Sequence, residues 1–278
     1  IVTSKERNAL QFVVGNNGRY GATGQFNRIF SDNTRIFANF AYEQKDGESY
    51  PQGVKDPLEA IYLDAGIDYK KLQLRARYNE TSLDEFLNLA GYSKQNQHNS
   101  DNTFVGIKYN WINNDKLKLD SSYSFTKHNI SSAGLIATFD DIPDFLIGPA
   151  WQTTDSKFET ELSYQFDNQW QLAAGIEYSE AKQTEAGVRT SYYDCDSEQI
   201  IIDPAFEQQG IVSVMDFPEF SSLKFTFETL SAYGQLKIPY SDTLTLFIGA
   251  RYDDVKDIDS KLSPRLAGVY KINSEHTV

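Results

Sequence analysis

The sequence is short of thiols, of positive charge and of long apolar runs. Its single cysteine, Cys195, has no partner for a disulfide within the chain and matches no cysteine-based zinc pattern. Acidic side chains outnumber basic ones by 39 to 26, which gives a net charge of −13. Because nucleic-acid binding needs a basic surface, this imbalance argues against a nucleic-acid partner. No apolar run has the length of a membrane-spanning helix, which excludes a helical membrane protein.

Apolar residues are also scarce for a chain of 278 residues, at 40% of the total. The mean hydropathy is −0.50. Aromatic residues are plentiful by contrast, with 17 tyrosines and 18 phenylalanines. Rings with one polar end suit surfaces that are apolar on one side and wet on the other. The apolar content is therefore typical of a two-sided sheet rather than of a leucine-rich core.

The dominant pattern is alternation of apolar and polar side chains, and residues 157–180 are a clear example. Phe158 and Leu162 share one parity, Glu159 and Glu161 the other, and a short turn follows at 167–169. Alternation on both sides of a turn predicts an antiparallel hairpin. The same rule predicts about twelve strands. Their apolar positions lie at 10–14, 22–26, 36–42, 61–69, 72–78, 105–111, 117–125, 158–166, 170–178, 230–238, 244–252 and 266–270.

The predicted connections differ between the two ends of the strands. One set is short and the other is mostly long, with 15–18 the short exception. This asymmetry is typical of a transmembrane barrel, with short periplasmic turns and longer outside loops. The short set lies at 31–33, 69–71, 112–115, 167–169, 239–242 and near 273–274. The long set lies at 44–59, 80–101, 127–155, 181–223 and 253–261.

Strand length and ring positions agree with that fold. Strands of about ten residues, at ~3.3 Å each and tilted ~45°, rise ~23 Å, close to the ~25 Å apolar band of an outer membrane. Aromatic rings cluster near the strand ends, as in the girdles of such barrels. The sequence therefore predicts an all-β fold, an antiparallel up-and-down transmembrane β-barrel. The rings concerned are Tyr42, Tyr69, Tyr78, Trp111, Phe125, Phe166, Trp170, Tyr178, Tyr252 and Tyr270.

Three stretches carry a family resemblance. Residues 230–254 follow the pattern AYxQ, then L-x-L-x-x-G-x-RYD, and SPRL follows at 263–266. The chain opens with IVTSK at 1–5. In this order, the stretches resemble the TonB-dependent outer-membrane receptors. The matching positions in the first stretch are Ala232, Tyr233, Gln235, Leu244, Leu246, Gly249, Arg251, Tyr252 and Asp253.

The resemblance implies a 22-stranded barrel that holds an N-terminal plug. Residues 1–5 are then the end of the plug domain, and 6–278 are a partial barrel of about twelve strands. We expect the plug, the TonB-binding segment and the remaining strands to lie outside this sequence. The implied location is the bacterial outer membrane, and the implied partners are membrane lipid, the plug, TonB and the ligand. The implied function is active import of a scarce ligand, with an iron–siderophore complex as the leading class.

Ligand contacts are expected from lumen-facing polar side chains and from the long loops. An alternative is that the lumen charges only pair with each other or with the plug. Rings in the loops suit stacking on a flat ligand, and clustered carboxylates suit Ca²⁺, although no EF-hand spacing is present. No other metal or cofactor is expected. The candidates are Arg75 and Arg77 in the lumen and Asp140, Asp141, Asp144, Trp151, Tyr192, Tyr193, Asp194 and Phe217 in the loops.

Two other functions stay open on sequence alone. One is a passive porin or structural outer-membrane barrel, whose lumen and loops are also polar. The other is a soluble carbohydrate-binding β-protein, which predicts that Leu162, Leu172, Ile176 and Leu246 pack against a second sheet. The sequence contains no GxSxG, HExxH or glycine-rich phosphate loop, so an enzyme is not expected.

Overall fold

The computed structural model describes residues 8–30, 34–215 and 223–271. These residues form fifteen strands and two short 3-10 turns, Pro51–Gly53 and Pro204–Phe206. No helix in the described ranges has the length and hydropathy needed to cross a membrane. The strands are β1 (Ala9–Val14), β2 (Tyr20–Ile29), β3 (Arg35–Lys45), β4 (Leu58–Tyr69), β5 (Leu72–Asp84), β6 (Leu87–Asn88), β7 (Gly91–Tyr92), β8 (Gln97–Asn113), β9 (Leu117–Ala137), β10 (Phe145–Gln165), β11 (Gln171–Tyr192), β12 (Glu207–Met215), β13 (Thr226–Pro239), β14 (Leu244–Val255) and β15 (Lys261–Tyr270).

Thirteen of these strands form one antiparallel sheet. Its order is β1-β2-β3-β4-β5-β8-β9-β10-β11-β13-β14-β15, and β12 adds to β11 beside this path. The strands β6 and β7 form a separate two-stranded ribbon. All twelve strands on the main path coincide with the twelve predicted from alternation. The predicted all-β, up-and-down antiparallel fold is thus confirmed.

The short connections lie at one end of the sheet, which we call the tight-turn end. Lys70 and Gln169 have positive φ angles of 52° and 67° in the turns that join β4 to β5 and β10 to β11. A left-handed residue lets the chain reverse within a few residues. The predicted turns at 69–71 and 167–169 are confirmed, whereas those at 31–33 and 273–274 lie outside the described residues.

The opposite end, which we call the loop end, differs from the prediction. The connection predicted at 127–155 is mostly strand, because β9 runs to Ala137 and β10 starts at Phe145. Part of the connection predicted at 181–223 is also strand, in β11 and β12. Near the loop end both faces of the strands carry a mixture of polar and apolar side chains, so the sequence shows no alternation there. The backbone ladder nevertheless continues, since it depends on main-chain groups alone.

The two faces of the sheet differ in chemistry. We call one the apolar face, which carries Leu162, Ile176 and Ile248, and the other the polar face, which carries Glu159 and Glu177. Ile176 is 54% exposed and Ile248 is 48% exposed. No second sheet covers these side chains within the described residues. The apolar face therefore lacks the protein partner that a soluble β-sandwich requires.

The buried core lies at the loop end instead. Val188 on β11 packs with Val214 on β12, and Ile147, Val212 and Ile200 surround them. A β-bulge makes this possible. Gln152 pairs with Glu185 and Thr153 with Gln183, so Thr184 of β11 has no partner on β10. Beyond Thr184, the side chains of β11 that pointed to one face of the sheet therefore alternate in the opposite sense. The face that is charged nearer the tight turns is therefore apolar near the loop end.

Candidate functional site

The polar face carries a continuous set of ionic and hydrogen-bonding side chains. Register alone brings them together, since Glu159 lies opposite Glu177, Gly175 opposite Tyr233, and Tyr233 opposite Arg251. Neighbours in adjacent strands point to the same face. Three regions follow along this face, which we call the charged web, the arginine wall and the upper ledge.

The charged web is centred on Tyr233. Its phenolic hydroxyl lies 2.9 Å from an oxygen of Glu159 and 3.1 Å from one of Glu161. The hydroxyl therefore donates a hydrogen bond that the two carboxylates share. The ring lies against the backbone of Gly175, where an added Cβ would be 2.6 Å from Cζ of Tyr233. Only glycine leaves space for the ring at that position.

A second part of the web joins four strands, three through ion pairs and the fourth through a hydrogen bond. Glu177 accepts from Lys157 at 2.6 Å and from Arg251 at 3.1 Å. Arg251 also contacts Asp253 at 2.7 Å, and the hydroxyl of Ser231 donates to Asp253 at 2.6 Å. The web borders a cavity of about 380 Å³. Three of the family-like positions noted in the sequence, Tyr233, Arg251 and Asp253, thus belong to one network.

The arginine wall contains two of the residues proposed from sequence. Arg75 contacts Asp68 at 2.5 Å, and Arg77 lies 3.8 Å from Asp64. Both guanidinium groups also lie over rings of the polar face, Arg75 over Phe37 at 5.0 Å and Arg77 over Phe104 at 6.0 Å. Arg75 and Phe104 line a recess of about 370 Å³. Both arginines therefore face the expected side, and each already has a carboxylate partner.

The upper ledge lies between the web and the buried core. Trp151 is on the polar face, where it pairs with Ile130 and Ala186, and its side chain is 40% exposed. Nearer the tight turns, His128, Asp155 and Phe225 line a recess of about 250 Å³. Phe225 packs on Phe227 with ring centroids 4.9 Å apart. The ledge thus offers rings beside hydrogen-bonding groups. Sequence reasoning found Trp151 but missed Phe225 and Phe227, which lie next to the 216–222 segment.

Two other candidates, Tyr192 and Tyr193, belong to the packed structure of the loop end. Tyr192 is fully buried, its hydroxyl donates to the carbonyl of Pro143 at 2.6 Å, and burial raises its pKa. Tyr193 packs on the Val188–Val214 core. The sequence led us to expect that both side chains project freely from a loop. Neither of them does.

Asp194 is also held within its own turn. Its carboxylate accepts from the hydroxyl of Ser197 and from the backbone N–H of Asp196, the latter at 3.0 Å. The hydrogen bond from Ser197 is the main cause that lowers the pKa of Asp194. Such a turn fixes the chain direction after β11.

The remaining candidates lie in the connection between β9 and β10. Asp140 and Asp141 are exposed there. Asp144 is half-buried, and with Lys94 and Glu207 it lines a cavity of about 360 Å³ at the loop end. Phe217 lies outside the described residues. Among the described residues, no group of three or more histidine, cysteine, aspartate or glutamate side chains could hold a metal ion.

Comparisons with known proteins add a family and a set of related folds. The family model described as "TonB dependent receptor-like, beta-barrel" matches residues 49–278. A comparison with curated proteins found no match.

Solved structures resemble the chain at low sequence identity. BauA, the ferric preacinetobactin receptor from Acinetobacter baumannii, has 13% identity and a TM-score of 0.70, over 99% of this chain and 46% of that one. The siderophore receptor PiuA from the same organism has 12% identity and a TM-score of 0.66, over 97% and 48%. The pyoverdine outer-membrane receptor FpvA from Pseudomonas aeruginosa has 14% identity and a TM-score of 0.62, over 98% and 45%. The chain thus spans about half the length of these structures.

Proposed function

Because the chain belongs to the TonB dependent receptor-like β-barrel family, we propose that it forms part of a receptor that actively imports an iron–siderophore complex. Proteins of this family lie in the bacterial outer membrane. The whole receptor would include a plug domain and would draw energy from TonB. The siderophore class is supported by the structures with similar folds, since BauA, PiuA and FpvA are receptors of that kind.

The observation that carries the proposal is the division of labour between the two faces of one sheet. The apolar face exposes Ile176, Ile248 and many similar side chains, and this exposure suits contact with lipid. The opposite face carries the charged web and the arginine wall, which suit a water-filled interior. A soluble carbohydrate-binding sandwich would need a second sheet over Ile176, and the described residues provide none.

In the proposed mechanism the ligand is captured at the loop end and on the upper ledge. Trp151 offers an exposed ring for stacking, and His128 and Asp155 offer polar groups in the recess nearer the tight turns. The charged web and arginine wall serve as a rigid polar lining, because their side chains are already paired with each other. Movement of the plug, driven by TonB, would then open the path along this lining.

A transport experiment tests the proposal against a passive porin. Iron-starved cells that lack the full-length gene are complemented with it, and uptake of radioactive iron bound to defined siderophores is measured. We expect uptake of at least one siderophore complex that disappears in a strain without TonB. A passive porin predicts uptake that is independent of TonB. Uptake that persists without TonB, or the absence of uptake across the siderophore panel, would contradict the proposal.

A further inference from the structure

Negative charge is concentrated at the loop end of β9 to β12. Residues 128–156 and 183–215 contain ten aspartate and glutamate side chains and a single lysine or arginine, Arg189. Eight of the ten carboxylates are exposed, and among the described residues none of the ten forms an ion pair. A surface with one sign of charge lowers the local concentration of ligands with the same sign. The ten are Asp140, Asp141, Asp144, Asp155, Glu185, Asp194, Asp196, Glu198, Asp203 and Glu207.

Register brings the polar groups of the upper ledge together on the polar face. Thr153 pairs with His128 on β9 and with Gln183 on β11. Trp151 and Asp155 flank Thr153 on the same face of β10, since alternate residues of a strand share a face. The side chain of Asp155 is exposed. This array therefore offers a hydroxyl, an amide, an imidazole and one carboxylate, and it contains no lysine or arginine.

Exposed aromatic rings border the same array. Trp151, Phe225 and Phe227 are 40%, 43% and 46% exposed. The carbonyl of Phe225 accepts from the backbone N–H of Gln183 at 3.0 Å, and Phe227 pairs with Ala181 on β11. The face of an aromatic ring is the negative side of its quadrupole, so it favours neutral or cationic groups over anions. The rings therefore act in the same direction as the carboxylates.

The basic side chains nearest to the upper ledge do not offset this charge. Lys127 and Lys182 lie on the apolar face of the sheet, by their register with Thr154. Lys157 is on the polar face below the ledge, where its ammonium group contacts Glu177 at 2.6 Å. Lys94 borders the separate cavity at the loop end, together with two carboxylates. An anionic ligand on the ledge would therefore meet carboxylates and ring faces without a cationic partner from this part of the chain.

Iron–siderophore complexes differ in net charge according to their chelating groups. Three hydroxamates lose one proton each and balance the charge of ferric iron, whereas three catecholates lose two protons each and leave a trianion. We propose that the upper ledge selects a ferric complex without net negative charge, of the trihydroxamate class. The amide carbonyls and methylene groups of such a complex find donors in Thr153 and Gln183 and apolar contact on the rings. This inference rests on the proposed import function and specifies the charge class of its ligand.

Equilibrium binding of two matched iron complexes to the full-length receptor in detergent tests the proposal. The probes are synthetic tripodal chelators on one scaffold, which carry either three hydroxamates or three catecholates. In about 10 mM salt, where the Debye length is about 30 Å, we expect the neutral complex to bind at least roughly tenfold more tightly. Two unit charges ~10 Å apart in water change binding by about a factor of two, and three charges on the trianion face several carboxylates. Raising the salt concentration should reduce the difference by strengthening the binding of the trianion alone.

A charge-reversal variant locates the effect on the ledge. Asp155→Lys should strengthen binding of the catecholate complex roughly tenfold in low salt and leave the neutral complex unchanged, which also shows that the variant is folded. Asp242→Lys makes the same change in net charge at an exposed position of the tight-turn end and should have a much smaller effect.

The possible outcomes separate this inference from the proposed function. Equal or tighter binding of the catecholate complex by the wild type would overturn the inference, while TonB-dependent uptake of that complex would leave the import function intact. Equal effects of Asp155→Lys and Asp242→Lys would also overturn it, because they would assign the selectivity to net charge rather than to the ledge. If the receptor binds neither complex and imports no siderophore, both proposals are wrong.

Discussion

The ring of Tyr233 occupies the space above Gly175 on the adjacent strand. The two residues are direct neighbours in the register between β13 and β11. A Cβ atom at position 175 would approach Cζ of the ring to 2.6 Å and the carbonyl oxygen of Thr160 to 2.9 Å. This vacant space lets the phenol reach Glu159 and Glu161, so the charged web depends on a missing side chain.

Replacement of Gly175 by alanine should therefore displace Tyr233 and weaken the web. We expect a loss of about 1–3 kcal/mol in folding stability, as for other overpacked sites. Urea unfolding of the refolded receptor in detergent measures the change. Gly234→Ala is a matched control, because a Cβ there has only one neighbour, at 4.0 Å. Equal stability of the two variants would show that the ring position does not depend on Gly175.

Trp151 provides a test of the upper ledge. Its ring is 40% exposed on the polar face, whereas Phe158 is 44% exposed on the apolar face of the same strand. If the ledge stacks on the ligand, Trp151→Ala should weaken ligand binding roughly tenfold, in line with the loss of one aromatic contact and its buried area. Phe158→Ala should leave binding unchanged. Both are measured by siderophore titration of equal amounts of folded receptor, and equal affinities would remove Trp151 from the site.

Ile176 tests which face meets lipid. It lies five residues beyond the start of β11 on the apolar face, near the middle of the expected membrane band. Ile176→Arg should cost about 2–4 kcal/mol when the receptor folds into vesicles, because the charge must enter hydrocarbon. Thr23→Arg places the same side chain on the polar face, where Thr23 is exposed, and should be nearly neutral. A greater cost for Thr23→Arg would reverse the assignment of the faces.

The turn at Asp194 should respond to acid. Its hydrogen bonds lower the pKa of Asp194 below the ordinary value of 3.8. A depressed pKa means that the stabilisation is fully present above pH 3.8 and is lost as the pH falls through the lower folded value. Hydrogen exchange in residues 194–199 should therefore speed up only below pH 3.8, after correction for intrinsic exchange rates.

Two variants separate this turn from a general acid effect. Asp194→Asn should give fast exchange in the turn already at neutral pH, because the amide loses the charged acceptor. Asp140→Asn removes the same charge from the exposed connection between β9 and β10 and should leave the turn unchanged. If exchange in the wild-type turn does not depend on pH over this range, the carboxylate does not hold it.

Much of the fold follows from local patterns. The hairpin at 157–180 was predicted from alternation, and it forms the tight-turn halves of β10 and β11. The strand ends at the loop end were missed, because residues such as Asn129 and Ser131 show no apolar period while their backbones still pair. Strand length there is set by main-chain hydrogen bonds to a neighbour, and a single strand does not display them.

The site was predicted less completely, because a local pattern does not show which distant side chains come into contact. Arg75 and Arg77 face the expected side, because parity is local. Tyr192 and Asp194 were proposed as loop residues that contact ligand, but they are used by the packing and turn structure of the loop end. Only the folded chain reveals that Tyr192 reaches Pro143, 49 residues away. Whether the proposed residues bind a ligand stays a prediction.

The sequence by itself determined the twelve strands of the main path and, between the tight turns and the bulge, the face that each side chain takes. Side chains of a strand point alternately to its two faces, so the alternation of apolar and polar residues indicates which face meets apolar surroundings and which meets water. Tertiary structure decided which side chains meet. Tyr233 reaches Glu159 across 74 residues, and the bulge near Thr184 turns a charged face into a core. Both depend on the register between strands, and register is a property of the assembled sheet.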